Sequence, residues 1–349
     1  MTETLRNKYE LFERNRAAIS KKFMFEKNLM SISAALIFTG ADEEADTDKL
    51  KECRSILNSH TGFFSEYRDT VKLALISQMA LSYDAEQYIE DVKTVYKKLH
   101  KGHFKDNSYM VLAAMLLCEL GRQNDADEVV KKHNELMERM DKLHPILTDS
   151  SDISYVILLA LSDRSVDTII EDIEACLEYL KKTQKIRIGA NSAQGLGEIL
   201  ALTDGDMTEK CDKVIALYNG LKESKAEIAD GTGFSSLGML IGIDEAPETI
   251  VGEIMETDEF LNGCKLFDTK SGYKTQQLLF AELLVASSRG ASTSVISNAF
   301  INSSFGIIKA QQIAAMISVI SNVLPAILGA AADTDNNEVD NKETEQKSE

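Results

Sequence analysis

The chain has 349 residues, 44% of them hydrophobic and 27% charged, which suits a folded protein with a sizeable core and excludes disorder throughout. Its 38 basic and 56 acidic side chains give a net charge of -18, which argues against nucleic-acid or anionic-lipid binding by general electrostatic attraction. Tryptophan is absent and proline occurs only three times, so the composition disfavours a β-sandwich and favours helices.

Residues 1–25 predict an amphipathic helix rather than a secretory signal. The segment mixes acidic and basic side chains and contains no apolar core of the kind a signal peptide has. Its apolar residues, which fall on one helical face, are Leu5, Tyr9, Phe12, Ile19 and Phe23. We expect this helix to cap the amino end of the fold.

The five cysteines form no CxxC pair, which predicts neither a disulfide framework nor a zinc site and favours the reducing cytoplasm. Cys53, Cys176 and Cys211 fall on apolar helical faces and are predicted core residues, whereas Cys264 is expected to be accessible. His133 is expected near a helix end or on a polar face.

Seven apolar runs follow, and each ends at a small or polar break. The breaks begin at Thr39, Ser82, Gly121, Ser162, Thr203, Asp244 and Ser287, at intervals of 43, 39, 41, 41, 41 and 43 residues. A period near 41 falls within the range of about 40–47 residues that is typical of paired-helix repeats. The pattern predicts an all-α fold, an α-solenoid-like, right-handed array of about seven helical hairpins with a capping helix at each end.

Acidic and short polar residues follow almost every break. Examples are Asp42 and Glu43 after the first break, Asp84 after the second and Asp206 after the fifth. Such side chains satisfy free N–H groups in the first turn of a helix and favour its positive end. We therefore expect each acidic cluster to begin the second helix of a hairpin, without any bound ligand.

The carboxyl-terminal region has two parts that differ in composition. Residues 1–332 are predicted to form a single helical repeat domain, and residues 333–349, with seven acidic and two basic side chains, a disordered acidic tail. Ile313–Ala332 contains no charge and is long enough to cross a bilayer. Its large residues fall on one face with small ones opposite, so we favour a capping helix and keep peripheral membrane attachment as an alternative.

Three short strings are similar to strings of a known protein family. They are residues 6–12 (Arg-Asn-Lys-Tyr-Glu-Leu-Phe), residues 270–279 and the alanine-rich residues 310–315. On these strings the chain resembles a bacterial family defined only as domain of unknown function number four thousand and three. The resemblance covers residues 1–330 approximately and implies a bacterial, cytoplasmic, mostly helical protein. It implies no catalytic residue, substrate or partner.

Four strings contain residue types that could carry chemistry, and each has a better structural interpretation. His100 and His103 have metal-ligand spacing, but a glycine and a lysine lie between them and no acidic or thiol ligand is near. Residues 230–236 resemble a phosphate loop without its lysine or preceding strand. Residues 271–274 match S-x-x-K without partner motifs, and residues 333–340 lack the glycine of a calcium loop.

The sequence therefore predicts no catalytic residue, cofactor-binding residue or metal ligand. Our leading hypothesis is a non-enzymatic protein-binding or scaffold module, since helical arrays present long concave surfaces. The acidic balance favours a protein partner of basic or mixed charge. The alternative is an enzyme or small-ligand binder whose site lies on inter-repeat loops, with residues 230–236 and 270–274 as the candidate loops.

Overall fold

The computed structural model describes residues 2–24, 28–62, 65–68, 71–101, 108–119, 121–148, 152–183, 186–202, 205–228, 232–263 and 274–289. All regular elements in these residues are helical, which confirms the predicted all-α class. The same residues include no helix with the length and apolar character needed to cross a membrane. The predicted carboxyl-terminal cap at Ile313–Ala332 and the tail at 333–349 lie outside the described residues.

The helices fall into two alternating kinds. Their bounds are α1 (Glu3–Lys22), α2 (Asn28–Gly40), α3 (Thr47–His60), α4 (Lys72–Leu81), α5 (Ala85–His100), α6 (Ser108–Glu119), α7 (Ala126–Leu143), α8 (Ile153–Leu161), α9 (Val166–Thr183), α10 (Ala190–Leu200), α11 (Met207–Glu223), α12 (Thr232–Ser235), α13 (Pro247–Gly263) and α14 (Lys274–Arg289). Short 3-10 segments lie at Glu66–Arg68, Gln123–Asp125 and Ser236–Leu240, and the last of these extends α12.

The even-numbered helices form an inner layer. Every residue from Leu73 to Ala80 in α4, and from Met110 to Leu117 in α6, is buried. A helix that is apolar all round must be enclosed by other elements. The odd-numbered helices are amphipathic: α5, for example, buries Tyr88, Val92 and Tyr96 on one side and exposes the other. They therefore form an outer layer over the apolar runs.

Pairing between the layers differs from the predicted hairpins. The closest packing joins an outer helix to the inner helix that follows it, as in α1 with α2, α5 with α6, α9 with α10 and α13 with α14. The predicted hairpin, an apolar run plus the helix after its acidic break, is displaced from this unit by one helix. Periodicity gives the buried face of a helix and not the neighbour that covers it, which explains the difference.

The first helix packs against the last ones. Helix α1 contacts α14, and the ring of Tyr9 stacks on Phe260 of α13 with 4.7 Å between centroids. The Tyr9 hydroxyl also hydrogen-bonds Thr257 of α13. An open stack would keep α1 away from α13 and α14. The contacts therefore do not confirm an open solenoid-like array in which α1 is a separate end cap.

Neighbouring outer helices meet in one recurring way. The second half of each contacts the beginning of the next, as in the ion pair between Lys98 of α5 and Asp127 of α7 at 2.7 Å and that between Arg139 and Asp167. The last outer helix contacts the first in the same way, because Phe260 near the end of α13 stacks on Tyr9 in the first half of α1. The outer helices thus form a closed ring around the inner layer.

Lysine side chains fix the direction of the inner helices. Three lysines from the first half of an outer helix donate to carbonyl groups at the end of the following inner element: Lys8 to Thr39 (2.9 Å), Lys132 to Ser162 (2.6 Å) and Lys213 to Ile243 (2.7 Å). Cations there complement the negative end of the helix dipole. The inner elements therefore run antiparallel to the outer helices, and the turns that follow them lie at one end of the ring.

We call this end the turn end: it comprises those turns and the first turns of the outer helices that follow. The predicted capping is confirmed there for Asp84 and Asp206, whose carboxylates accept hydrogen bonds from backbone N–H groups three residues on. Helix α3 is capped by Asp46 and not by the predicted Asp42 or Glu43. Ser165 caps α9 similarly. Asp125, which precedes α7, makes no side-chain cap.

Candidate functional site

One of the candidate strings lies partly inside the fold. Ser235 and Ser236 are buried, and the Ser236 hydroxyl lies 2.7 Å from the Glu282 carboxyl and 3.2 Å from the Gly233 carbonyl. A hydroxyl that faces a carboxyl group is poorly suited to an anion, so these residues do not act as an exposed phosphate loop. Residues 230 and 231 of the string lie outside the described residues.

The other candidate strings gain no support as metal or catalytic sites. His100 stacks on Tyr96 with 6.3 Å between ring centroids, as expected at a helix end. His103, residues 264–273 and residues 333–340 lie outside the described residues. Across the part of the chain that the structure describes, no group of three or more histidine, cysteine, aspartate or glutamate side chains could hold a metal ion.

Polar residues from three inner elements form what we call the inner polar cluster: Gln194 and Glu198 of α10, Ser235 and Ser236 of the α12 segment, and Glu282 of α14. All five are at least nine-tenths buried. Helix α10 and the α12 segment are in van der Waals contact here, because a Cβ atom built on residue 195, a glycine, would lie 3.5 Å from the Ser235 Cβ. The cluster places two carboxyl groups and an amide within an otherwise apolar core.

Burial dominates the electrostatics of the inner polar cluster. It raises the pKa of Glu282 to about 8, although the hydrogen bond from Ser236 lowers it in part. Glu282 is therefore mostly protonated at neutral pH and can donate a hydrogen bond. The Gln194 amide donates to Glu198 at 3.3 Å and to Thr148 at 3.4 Å, while its buried oxygen accepts no hydrogen bond. Perturbed, buried groups of this kind are enriched at functional sites.

The sequence analysis missed this cluster. Glu198 lies between buried Leu196 and Leu200, and Glu282 lies within the buried stretch Leu278–Val285. A glutamate inside an apolar run was the available signal. It differs from the acidic residues after the breaks, because a residue inside a helix that is buried all round cannot reach solvent.

The turn end carries exposed carboxylates from all six turns of the described residues. These are Asp42, Glu43, Glu44, Asp46, Asp48, Asp84, Glu86, Asp125, Asp127, Glu128, Asp163, Asp167, Asp206, Glu209, Asp244, Glu245 and Glu248. Several pair with cations, for example Asp42 with Lys8 and Glu245 with Arg289. Three others, Glu128, Asp163 and Asp244, make no direct ion pair but interact electrostatically with Lys132 or Lys213. The carboxylates that have neither a side-chain cap nor a neighbouring cation among the described residues are Glu43, Glu86, Glu209 and Glu248.

An aromatic side chain accompanies these carboxylates. Tyr83, in the turn before α5, has a relative exposure of 107% and is the largest apolar side chain exposed in the described residues. It lies next to Asp84 and three residues before Glu86. Exposed tyrosines are common anchors of protein interfaces, since one ring supplies much contact area at low entropic cost.

Cysteine and histidine positions agree with the sequence analysis except at one residue. Cys53, Cys176 and Cys211 are buried free thiols, as predicted for core positions. Cys264, which we expected to be accessible, lies outside the described residues. His133, predicted near a helix end or on a polar face, is instead buried, and burial lowers its pKa to about 4. It is a neutral core residue.

Comparison with known proteins gives one match. The model of the family described as "Protein of unknown function (DUF4003)" matches residues 15–313, which confirms the family resemblance. No curated protein and no solved structure matches the chain.

Proposed function

We propose that this chain, which belongs to the DUF4003 family, is a non-enzymatic protein-binding module whose turn end binds a partner of basic or mixed charge. The observation that carries the proposal is the set of exposed carboxylates at the turn end that have no neighbouring cation among the described residues, for example Glu43, Glu86 and Glu209. We further propose that the helix pairs of the ring are tandem repeats and that the protein acts in the cytoplasm.

Carboxylates that already pair with lysine or arginine have little attraction left for a partner. Carboxylates without a counter-ion still attract basic groups, and the net charge of -18 adds to this electrostatic attraction. Such a surface accelerates association with a basic protein, and salt weakens the effect. Tyr83 supplies the apolar contact that charge alone does not give, because well-packed aromatic residues dominate many interfaces.

The experiment that tests this proposal is site-specific crosslinking in living cells. A photoreactive residue replaces Tyr83 at the turn end or Ile146, which is 91% exposed in the connector between α7 and α8. We expect position 83, and not position 146, to capture a protein with a basic surface. An acidic protein at position 83, or crosslinks from position 146 alone, would overturn the proposal.

A matched pair of variants tests the role of charge once the partner is purified. The first combines Glu43→Gln, Glu86→Gln and Glu209→Gln at the turn end. The control combines Glu52→Gln, Glu135→Gln and Glu223→Gln, which remove the same charge from exposed positions elsewhere on the outer helices. We expect slower association at low salt for the first variant only. Equal association rates for both variants would contradict the proposal.

The inner polar cluster favours a second candidate function, the binding or conversion of a small polar ligand. The buried Gln194 oxygen without a hydrogen-bond partner and the protonated Glu282 are the observations behind it. Thermal-shift screening against nucleotides, phosphometabolites and metal ions tests this candidate. A ligand at 100 times its Kd adds about 2.7 kcal/mol of stability, and a Gln194→Ala variant should lose that gain. A gain that persists in the variant would place the ligand elsewhere.

A further inference from the structure

Two cysteines from neighbouring outer helices lie in contact inside the fold. The sulfur atoms of Cys176 in α9 and Cys211 in α11 are 3.6 Å apart, and both side chains are fully buried. A disulfide has about 2.05 Å between its sulfur atoms, so a movement of about 1.5 Å would join them. Helices α9 and α11 already pack against each other, which brings the two side chains together.

The surroundings of this pair differ between the two thiols. Contact with the Cys176 thiol lowers the pKa of Cys211 and outweighs burial, which raises it, and the nearby Lys210 ammonium lowers it further. Lys210 is itself held in place, because it donates to the Leu200 carbonyl at 2.8 Å. Cys53 provides the contrast: it is equally buried on α3, and burial raises its pKa to about 11. The thiolate is the reactive form of cysteine, so Cys211 is the better nucleophile.

We infer that Cys176 and Cys211 form an oxidisable pair that closes to a disulfide when the chain meets a hydroperoxide. The Cys211 thiol loses its proton and the thiolate attacks one oxygen of hydrogen peroxide. The O–O bond breaks, the sulfur becomes a sulfenic acid, and the departing hydroxide takes up that proton and leaves as water. The Cys176 sulfur then attacks the Cys211 sulfur, and the S–O bond breaks with loss of a second water. The pair gives up two electrons in total, and the peroxide accepts them.

Burial determines which oxidants can react. Hydrogen peroxide is small and uncharged, whereas glutathione disulfide is too large to reach two sulfur atoms that have no exposed surface. The bond would close a loop that contains α10, the helix of Gln194 and Glu198. Oxidation would therefore restrain the inner polar cluster as well as the outer layer.

The test uses the full, reduced chain and hydrogen peroxide, followed by alkylation in denaturant and peptide mapping by mass spectrometry. We expect a peptide that joins Cys176 to Cys211, an intact mass lower by two hydrogen atoms, and a higher melting temperature. The last follows because a crosslink restricts the unfolded chain. Glutathione disulfide should leave both thiols free.

Three single variants separate the pair from other thiols. Cys53→Ser should behave as the wild type, whereas Cys176→Ser should stop at a sulfenic acid on Cys211 that a dimedone probe traps once denaturant exposes it. Cys211→Ser should yield neither product. Circular dichroism shows whether each variant is folded. If a variant is not folded, the peptide map of the oxidised wild-type chain still tests the inference. Recovery of both thiols unoxidised, after a treatment that consumes glutathione added as an internal standard, would overturn the inference, as would a disulfide to any other cysteine.

Discussion

Replacement of Glu282 by glutamine should stabilise the protein by an amount that grows with pH. Burial raises the pKa of this carboxyl to about 8 in the folded chain, against 4.5 in an unfolded one. The unfolded state therefore loses its proton first as pH rises. Stability from the protonated group is fully present below pH 4.5, declines between pH 4.5 and 8, and is lost as pH rises through the folded pKa. Glutamine has no proton to lose and keeps the Ser236 hydroxyl within hydrogen-bonding reach.

The size of the effect follows from the two pKa values. Each pH unit between them changes the free energy of unfolding by about 1.4 kcal/mol. The variant should exceed the wild type by about 1 kcal/mol at pH 5, about 3 kcal/mol at pH 7 and nearly 5 kcal/mol, on the order of the full difference, at pH 9. These values are large compared with the few tenths of a kcal/mol that an exposed substitution changes.

Urea unfolding followed by circular dichroism measures these differences. Wild type, Glu282→Gln and the exposed control Glu248→Gln are compared at the three pH values. The control should stay within about 0.5 kcal/mol of the wild type throughout. A Glu282→Gln difference that is constant with pH, or a variant less stable than the wild type at pH 9, would refute the reasoning.

The remaining predictions concern the two layers and the closed ring. Lys132→Met should cost about 1–2 kcal/mol in urea unfolding, because two carbonyl groups at the end of α8 lose their charged donor; the adjacent exposed Lys131→Met is the control and should be neutral. A double-mutant cycle of Tyr9→Ala and Phe260→Ala should show a coupling of about 0.5–1.5 kcal/mol, whereas additive effects would contradict the ring. Gly238→Ala should lower the free energy of unfolding by about 1–3 kcal/mol, since its Cβ would lie 2.9 Å from side-chain carbons of α10; an unchanged melting temperature would contradict this packing.

Residue patterns that span one or two helical turns were sufficient to predict where several helices end and which residues cap the next ones. The breaks at Ser82 and Ser162 both follow helices, and Asp84 and Asp206 cap the helices that come next, as predicted. The family was also identified from short strings. These features depend on residues that are neighbours in the chain, so the sequence contains all the information that they require.

The tertiary structure alone determined which helices pair, how the ring closes and which polar residues meet. Tyr9 and Thr257 are 248 positions apart, and Ser236 and Glu282 are 46 apart, distances over which periodicity carries no information. The meaning of a glutamate also depended on its surroundings, because Glu86 in the first turn of an outer helix is solvated whereas Glu282 in an inner one is not. Local hydrogen bonds and apolar spacing are encoded along the chain, but desolvation of a carboxyl group arises only when distant helices enclose it.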